Sequence, residues 1–198
     1  MSRRRPATAV VPTYRIRSVT SGDIEVLVRH RERMFSDLDH WDVVDPRALR
    51  EALRAYRPWL RRRMRARKLT GFIAESGRGS VLGSALVVLR DQPPRPRWPR
   101  GELPYVMNVY TVPEARGHGV ATGLVEEILQ WSRARGFPRV VLNASDMGRG
   151  VYERLGFEGG TEMRLQLLPL APETTARARS PRRKRRRQGR RRRAATQA

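Results

Sequence analysis

No cysteine occurs in this chain. Disulfides, a thiolate-ligated zinc and a cysteine nucleophile are thereby excluded. Lysine is almost as scarce. Of the 42 basic residues only Lys68 and Lys184 are lysine, a bias that fits a GC-rich genome as well as any chemical need, so the use of arginine for lysine carries no argument here. Long apolar runs are missing too. Nothing approaches the ~18 consecutive apolar residues of a membrane span. The first fifteen residues have a basic start without the apolar stretch of roughly 7–15 residues that a secretory signal requires. The expectation is a cytoplasmic, bacterial-type protein. Acids are few as well: 19 against 42 bases leave a net charge of +23.

That charge is unevenly spread. Twelve of the basic residues fall within residues 171–198, against the single acid Glu173, so this short segment holds about half the excess. Its Arg, Ala, Thr and Pro cannot bury enough apolar surface to offset chain entropy, and it is expected to be a disordered tail. Residues 1–12 read as a flexible basic arm. Between them, residues 13–170 have the length of one domain with a real core. The body is basic without the tail, which favours anionic ligands or partners.

Periodicity divides the body into elements. Residues 14–19 alternate as a first strand, and Thr20 to Asp23 carry turn and cap chemistry before a helix that opens at Ile24. Residues 36–45 hold Asp37, Asp39, Asp42 and Asp45 and no Lys or Arg, a local reversal of sign. A second helix spans residues 47–68, with Leu49, Leu53, Tyr56, Leu60 and Met64 as its buried face and Pro58 expected to kink or split it. Residues 69–75 and 80–89 read as a hairpin, and a proline-rich surface loop follows. A strand over 104–112, apolar throughout, is expected at the centre of the sheet. A helix from Val120 stops at Gly136, a short strand covers 139–142, a helix capped by Ser145 covers 146–155, and residues 161–168 alternate as a last strand.

The chemistry concentrates between the strand over 104–112 and the helix after it. Arg116-Gly117-His118-Gly119 forms a basic, glycine-rich turn there. Glycines let backbone N–H groups approach an anion closely, and a helix N-terminus adds partial positive charge, so the pattern predicts a phosphate cradle. Taken alone it fits any phosphate ligand.

Two motifs narrow it. V-Y-T-V-P-E-A-R-G-H-G-V-A matches an R/Q-x-x-G-x-G/A signature as Arg116-x-x-Gly119-x-Ala121, and V-Y-E-R-L-G-F over residues 151–157 matches a Y-x-x-x-G-F segment. Together they resemble the GCN5-related N-acetyltransferase (GNAT) superfamily. The resemblance implies an α/β (α+β) fold with a mixed, mostly antiparallel sheet of six to seven strands. About four helices flank it, and the fourth and fifth strands splay apart. It implies acetyl-CoA as co-substrate and a primary amine as acceptor, joined by direct attack in a ternary complex. It assigns backbone groups of Val109, Tyr110 and Thr111 to the pantetheine arm, one of them as an oxyanion donor. Arg116, Gly117, His118, Gly119, Val120 and Ala121 are assigned to the pyrophosphate. Tyr152 falls at the position of a general acid for the leaving thiolate; its alternative is a packed aromatic. Asn143 and Ser145 are candidate cofactor contacts, with helix capping an equal reading of Ser145.

No carboxylate stands at Tyr105 or Val106, where some branches of the superfamily carry a base. The Asp cluster borders the region where an acceptor would enter. Asp37, Asp39 and Asp42, with Trp41, are candidates for binding a cationic amine; the alternative is a solvated turn. Trp98 is a second loop tryptophan that could wall the pocket, while His30 and His40 read as surface or helix residues. A metal is not expected. Residues 177–193 suit nonspecific nucleic acid or ribosome contact, a homodimer is a further partner expectation, and a membrane is not. A module of this fold that binds nucleic acid with little catalysis is the rival reading. Acceptors left open are an aminoglycoside-like molecule or polyamine, an amino-acid derivative, and a protein amine.

Overall fold

The alternation of residues 83–89 (G-S-A-L-V-V-L) sets up the whole architecture, because a strand with apolar residues on both faces needs a helical layer on each side. The computed structural model describes residues 13–37, 45–96, 98–163 and 165. Its strands are β1 (Tyr14–Ser18), β2 (Leu69–Ser76), β3 (Val81–Asp91), β4 (Glu102–Thr111) and β5 (Val141–Leu142). Its helices are α1 (Ile24–Asp37), α2 (Pro46–Arg65), α3 (Val120–Ala134) and α4 (Asp146–Arg154). The strands lie in sequence order, with β1 to β4 antiparallel and β5 parallel to β4.

On β3, Leu86 and Val88 join Leu27, Val28, Leu53 and Leu60 beneath α1 and α2, while Ala85 and Val87 join Val120, Leu124 and Ile128 beneath α3. Adjacent residues of one strand thus feed two separate cores. The central strand of the sheet is β3. β4, expected at the centre, is flanked on its far side by a strand of only two residues.

Two expectations change. The sheet has five strands among the described residues, against six to seven expected. In the predicted strand over 161–168, residues 161–163 and 165 are not extended in a ladder, Met163 and Leu165 are exposed, and the others lie outside the described residues. Pro58 does not split α2, which runs unbroken from Pro46 to Arg65. A mid-helix proline strands the carbonyl four residues back, a cost of about 3 kcal/mol when nothing compensates. Pro58 and Arg54 are both on the exposed face, so that carbonyl sits where water can satisfy it. Residues 1–12 and 171–198 lie outside the described residues, as do Asp39, His40, Trp41 and Asp42.

Candidate active site

β4 outruns its neighbour. β5 pairs with it only at Tyr105 and Val106, so from Met107 to Thr111 the edge facing β5 has no ladder partner among the described residues. The other edge stays paired to β3 through Gly83–Thr111 and Ser84–Tyr110, with a register shift beside Ala85. Asn108 sits in that bulge at φ 52, a left-handed conformation that Asn tolerates better than most side chains. Beyond Val106, no strand among the described residues takes the backbone donors and acceptors on the β5 side of β4.

The chain then makes one short turn over Pro113–Ala115 and enters the glycine segment. Gly117 and Gly119 adopt φ 76 and 77, which an L-residue would reach only under strain. Gly119 is the residue before the first turn of α3, where N–H groups have no partner within the helix. Its carbonyl accepts from the Tyr14 hydroxyl at 3.2 Å, which fixes the turn against β1.

A cavity of about 1020 Å³ runs along this open edge and into the face covered by α1 and α2. Of the residues expected at the site, Val109, Tyr110, Thr111, Arg116, Gly117, Gly119, Val120, Ala121, Asn143, Ser145, Tyr152 and Asp37 line it. The His118 ring does not; its Nδ1 lies 2.8 Å from the Arg116 carbonyl, within the turn itself. Asp39, Trp41 and Asp42 fall outside the described residues. Trp98 packs against Phe137, with ring centroids 6.0 Å apart, and the tryptophan that lines the cavity is Trp59 of α2.

The turn is braced by its own arginine. Arg116 donates from Nε to the Thr111 carbonyl at 3.1 Å and forms an ion pair with Asp37 at the end of α1. Beside it, the Thr111 hydroxyl oxygen is buried and has no hydrogen-bond partner among the described residues. A polar atom so placed is costly unless a ligand completes it. That orphan, the open β4 edge and the glycine cradle fit a pantetheine and pyrophosphate ligand.

Tyr152 stands on α4. An added Cβ at Gly148 would come 3.1 Å from its ring and 3.2 Å from Ser145 Oγ, so this glycine, which costs about 1 kcal/mol of helix propensity, leaves both side chains uncrowded. At the helix end the Phe157 N–H returns to the Tyr152 carbonyl at 3.0 Å, and the Phe157 ring meets the tyrosine edge-on. The Gly-Phe pair of the motif is thus the seat of the tyrosine. Burial, and then Tyr105, push the Tyr152 hydroxyl above the usual tyrosine range, so it carries its proton at neutral pH. Ser145 accepts from the Gly148 N–H at 3.2 Å and caps α4.

Sequence reasoning missed the far side of the cavity. Arg31 on α1 donates to Asn108 Oδ1 at 2.7 Å, and Asn108 Nδ2 donates to the Tyr56 hydroxyl at 2.5 Å. Burial raises the Tyr56 hydroxyl to about 12. A lone Asn within the apolar run V-M-N-V-Y was the available signal. His30, read as a surface or helix residue, lies on α1 and is buried; its Nδ1 lies 2.8 Å from Ser84 Oγ, and its ring lies against Tyr110. Burial, and then Arg33 and Arg29, push it down to about 4. Asp37 is the sole carboxylate among the described residues lining the cavity, and it is paired. Among the described residues no group of three His, Asp or Glu side chains could hold a metal ion. No helix among them is long and apolar enough to cross a membrane.

Comparison with known proteins converges on one group. The sequence profile of the acetyltransferase (GNAT) family matches residues 32–157. A glucosamine 6-phosphate N-acetyltransferase of Trypanosoma brucei brucei is 30% identical over 108 residues, covering 53% of this chain and 70% of the relative. A GCN5-related N-acetyltransferase from Ralstonia eutropha JMP134 superposes with a TM-score of 0.69 at 28% identity, over 78% of this chain and 99% of the other. A predicted acetyltransferase from Clostridium acetobutylicum, solved with acetyl-CoA, gives 0.67 at 28% identity, over 78% and 97% of the two chains.

Proposed function

The chain belongs to the acetyltransferase (GNAT) family, and from that premise we propose that it moves an acetyl group from acetyl-CoA to a primary amine by direct attack within a ternary complex. One observation carries this reading. The open edge of β4, the glycine turn and the Tyr152 ring border a single cavity.

Acetyl-CoA, when bound, supplies a thioester-activated acetyl group and a pyrophosphate to hold it by. Val109, Tyr110 and Thr111 offer backbone groups as an added strand would, and one N–H among them polarises the acetyl carbonyl; a donor of this kind is worth ~2.7–4 kcal/mol. Arg116, Gly117, His118, Gly119, Val120 and Ala121 hold the pyrophosphate. Asn143 borders the same channel, and Ser145 serves it indirectly by fixing the start of α4. Tyr152 holds the proton that the departing thiolate takes. The attacking amine must be neutral. Asp39, Asp42 and Trp41 remain acceptor-side candidates, with Asp37 engaged by Arg116.

Release of free thiol from acetyl-CoA across a panel of amines tests the reading. Replacing Tyr152 with Phe should lower kcat by about 10²–10⁴ with acetyl-CoA affinity kept. A Phe variant that turns over like wild type would remove Tyr152 from the chemistry. The T. brucei relative's name puts a phosphorylated amino sugar on that panel. The rival reading, a nucleic-acid- or ribosome-binding module, rests on residues 177–193, outside the described residues, whereas the cavity speaks for catalysis.

A further inference from the structure

The acceptor half of the cavity carries an unbalanced charge. It is the part bounded by α1, α2 and the face of β3 and β4 beneath them, with Met34, Phe35, Trp59 and Met107 as an apolar lining. Two arginines line it, Arg31 partly buried and Arg90 exposed at its mouth. Arg31 is half-buried and stacks over the rings of Phe35 and Tyr56, at 4.9 and 4.6 Å from their centroids. Its hydrogen bond goes to a neutral amide, Asn108 Oδ1. Arg90, at the end of β3, lies over the Tyr105 ring, 3.2 Å from its centroid. Among the described residues neither arginine forms an ion pair with a carboxylate. Among the described residues the one carboxylate lining the cavity, Asp37, is taken by Arg116.

Burying a guanidinium without a counter-charge is unfavourable, and burial indeed pulls the Arg31 pKa down. Such a group is retained at little cost if a ligand supplies the missing anion. The guanidinium is a planar fork that suits carboxylate and phosphate oxygens. Arg31 also touches the residue immediately before Val109, so an anion on it would sit beside the open edge of β4.

Resting on the acetyltransferase reading, we propose that the acceptor is an amine that also bears an oxyanion, phosphate or carboxylate, bound by Arg31 with Arg90. Polycationic amines such as polyamines are disfavoured by the same two charges.

The test uses matched pairs of amines with the full chain and acetyl-CoA: glucosamine 6-phosphate against glucosamine, and methionine against methioninamide. At least one oxyanion-bearing member should be acetylated with kcat/KM about 10- to 100-fold above its neutral partner, the scale of a hydrogen bond to a charged group. The pair that responds tells phosphate from carboxylate. Arg31→Met should pull that ratio toward one, and Arg31→Lys should restore part of it. A purely structural role for Arg31 would lower both members equally and leave the ratio unchanged. Equal or better turnover of the neutral members, no turnover of either oxyanion-bearing amine, or an unchanged ratio in Arg31→Met overturns the proposal. Failure of the wild-type chain to bind acetyl-CoA at all sinks the acetyltransferase reading instead.

Discussion

The two halves of the cavity are built differently. The half from β4 to α4 is made from contiguous chain: a strand edge, a glycine turn, a helix start and one tyrosine, all within residues 107–152. Its recognition groups are mostly backbone. The half under α1 and α2 is made from side chains of four elements, Arg31, Tyr56, Arg90 and Asn108, of which Asn108 joins Tyr56 and Arg31 across sequence separations of 52 and 77 residues. A backbone-built site demands glycines and a fixed spacing, so it leaves a local pattern. A side-chain-built site can be assembled from any residues that the fold happens to bring together, and it leaves none.

The residue behind this junction provides the larger way to probe it. His30 lies behind both halves, against Tyr110 and Ser84. Its ring is held at about 4 in the fold, against roughly 6.5 in an unfolded chain. The unfolded state therefore binds the extra proton first as pH falls. Stability from the neutral ring is fully present above about pH 6.5 and drains away toward pH 4, by ~2–3 kcal/mol at pH 4.5. Thermal midpoints of wild type and His30→Gln at pH 7 and 4.5 measure this: the wild type should lose more on acidification than the variant. Equal losses would show that His30 is not buried as a neutral group.

A smaller effect is expected where the halves touch. Asp37→Asn frees Arg116 from its ion pair. The pair is partly exposed, so stability should change by no more than about 1 kcal/mol. Acetyl-CoA affinity should stay or tighten by a few-fold, because the guanidinium becomes available to phosphate. Calorimetric titration checks both the sign and the size. A marked weakening would mean that Asp37 holds the turn in its binding shape.

The elements of the fold were largely readable, and for reasons that particular residues supply. Leu53, Tyr56 and Leu60 face one way at helical spacing, and Ser145 and Gly136 bound their helices. The unbroken α2 was not readable, because the penalty at Pro58 depends on whether the stranded carbonyl meets water, which is a property of the packed helix. Among the described residues the strands number five; the alternation at residues 161–168 states what a strand could bury and not whether a partner stands beside it. Tyr152 and Gly119, which pattern singles out, both line the cavity. The room that Gly148 leaves beside Tyr152, the orphaned Thr111 hydroxyl and the Arg31–Asn108–Tyr56 chain all needed three dimensions.

The division of labour between the halves has a direct test in acetyl-CoA binding, measured by calorimetry on wild type, Gly119→Glu and Arg31→Met side by side. Wild type should bind saturably, one to one. Gly119→Glu puts a bulky carboxylate and a strained φ at the start of α3 and should abolish binding. Arg31→Met, altered only on the acceptor side, should bind within a few-fold of wild type. No saturable binding by wild type, full binding by Gly119→Glu, or equal losses in both variants would contradict the account.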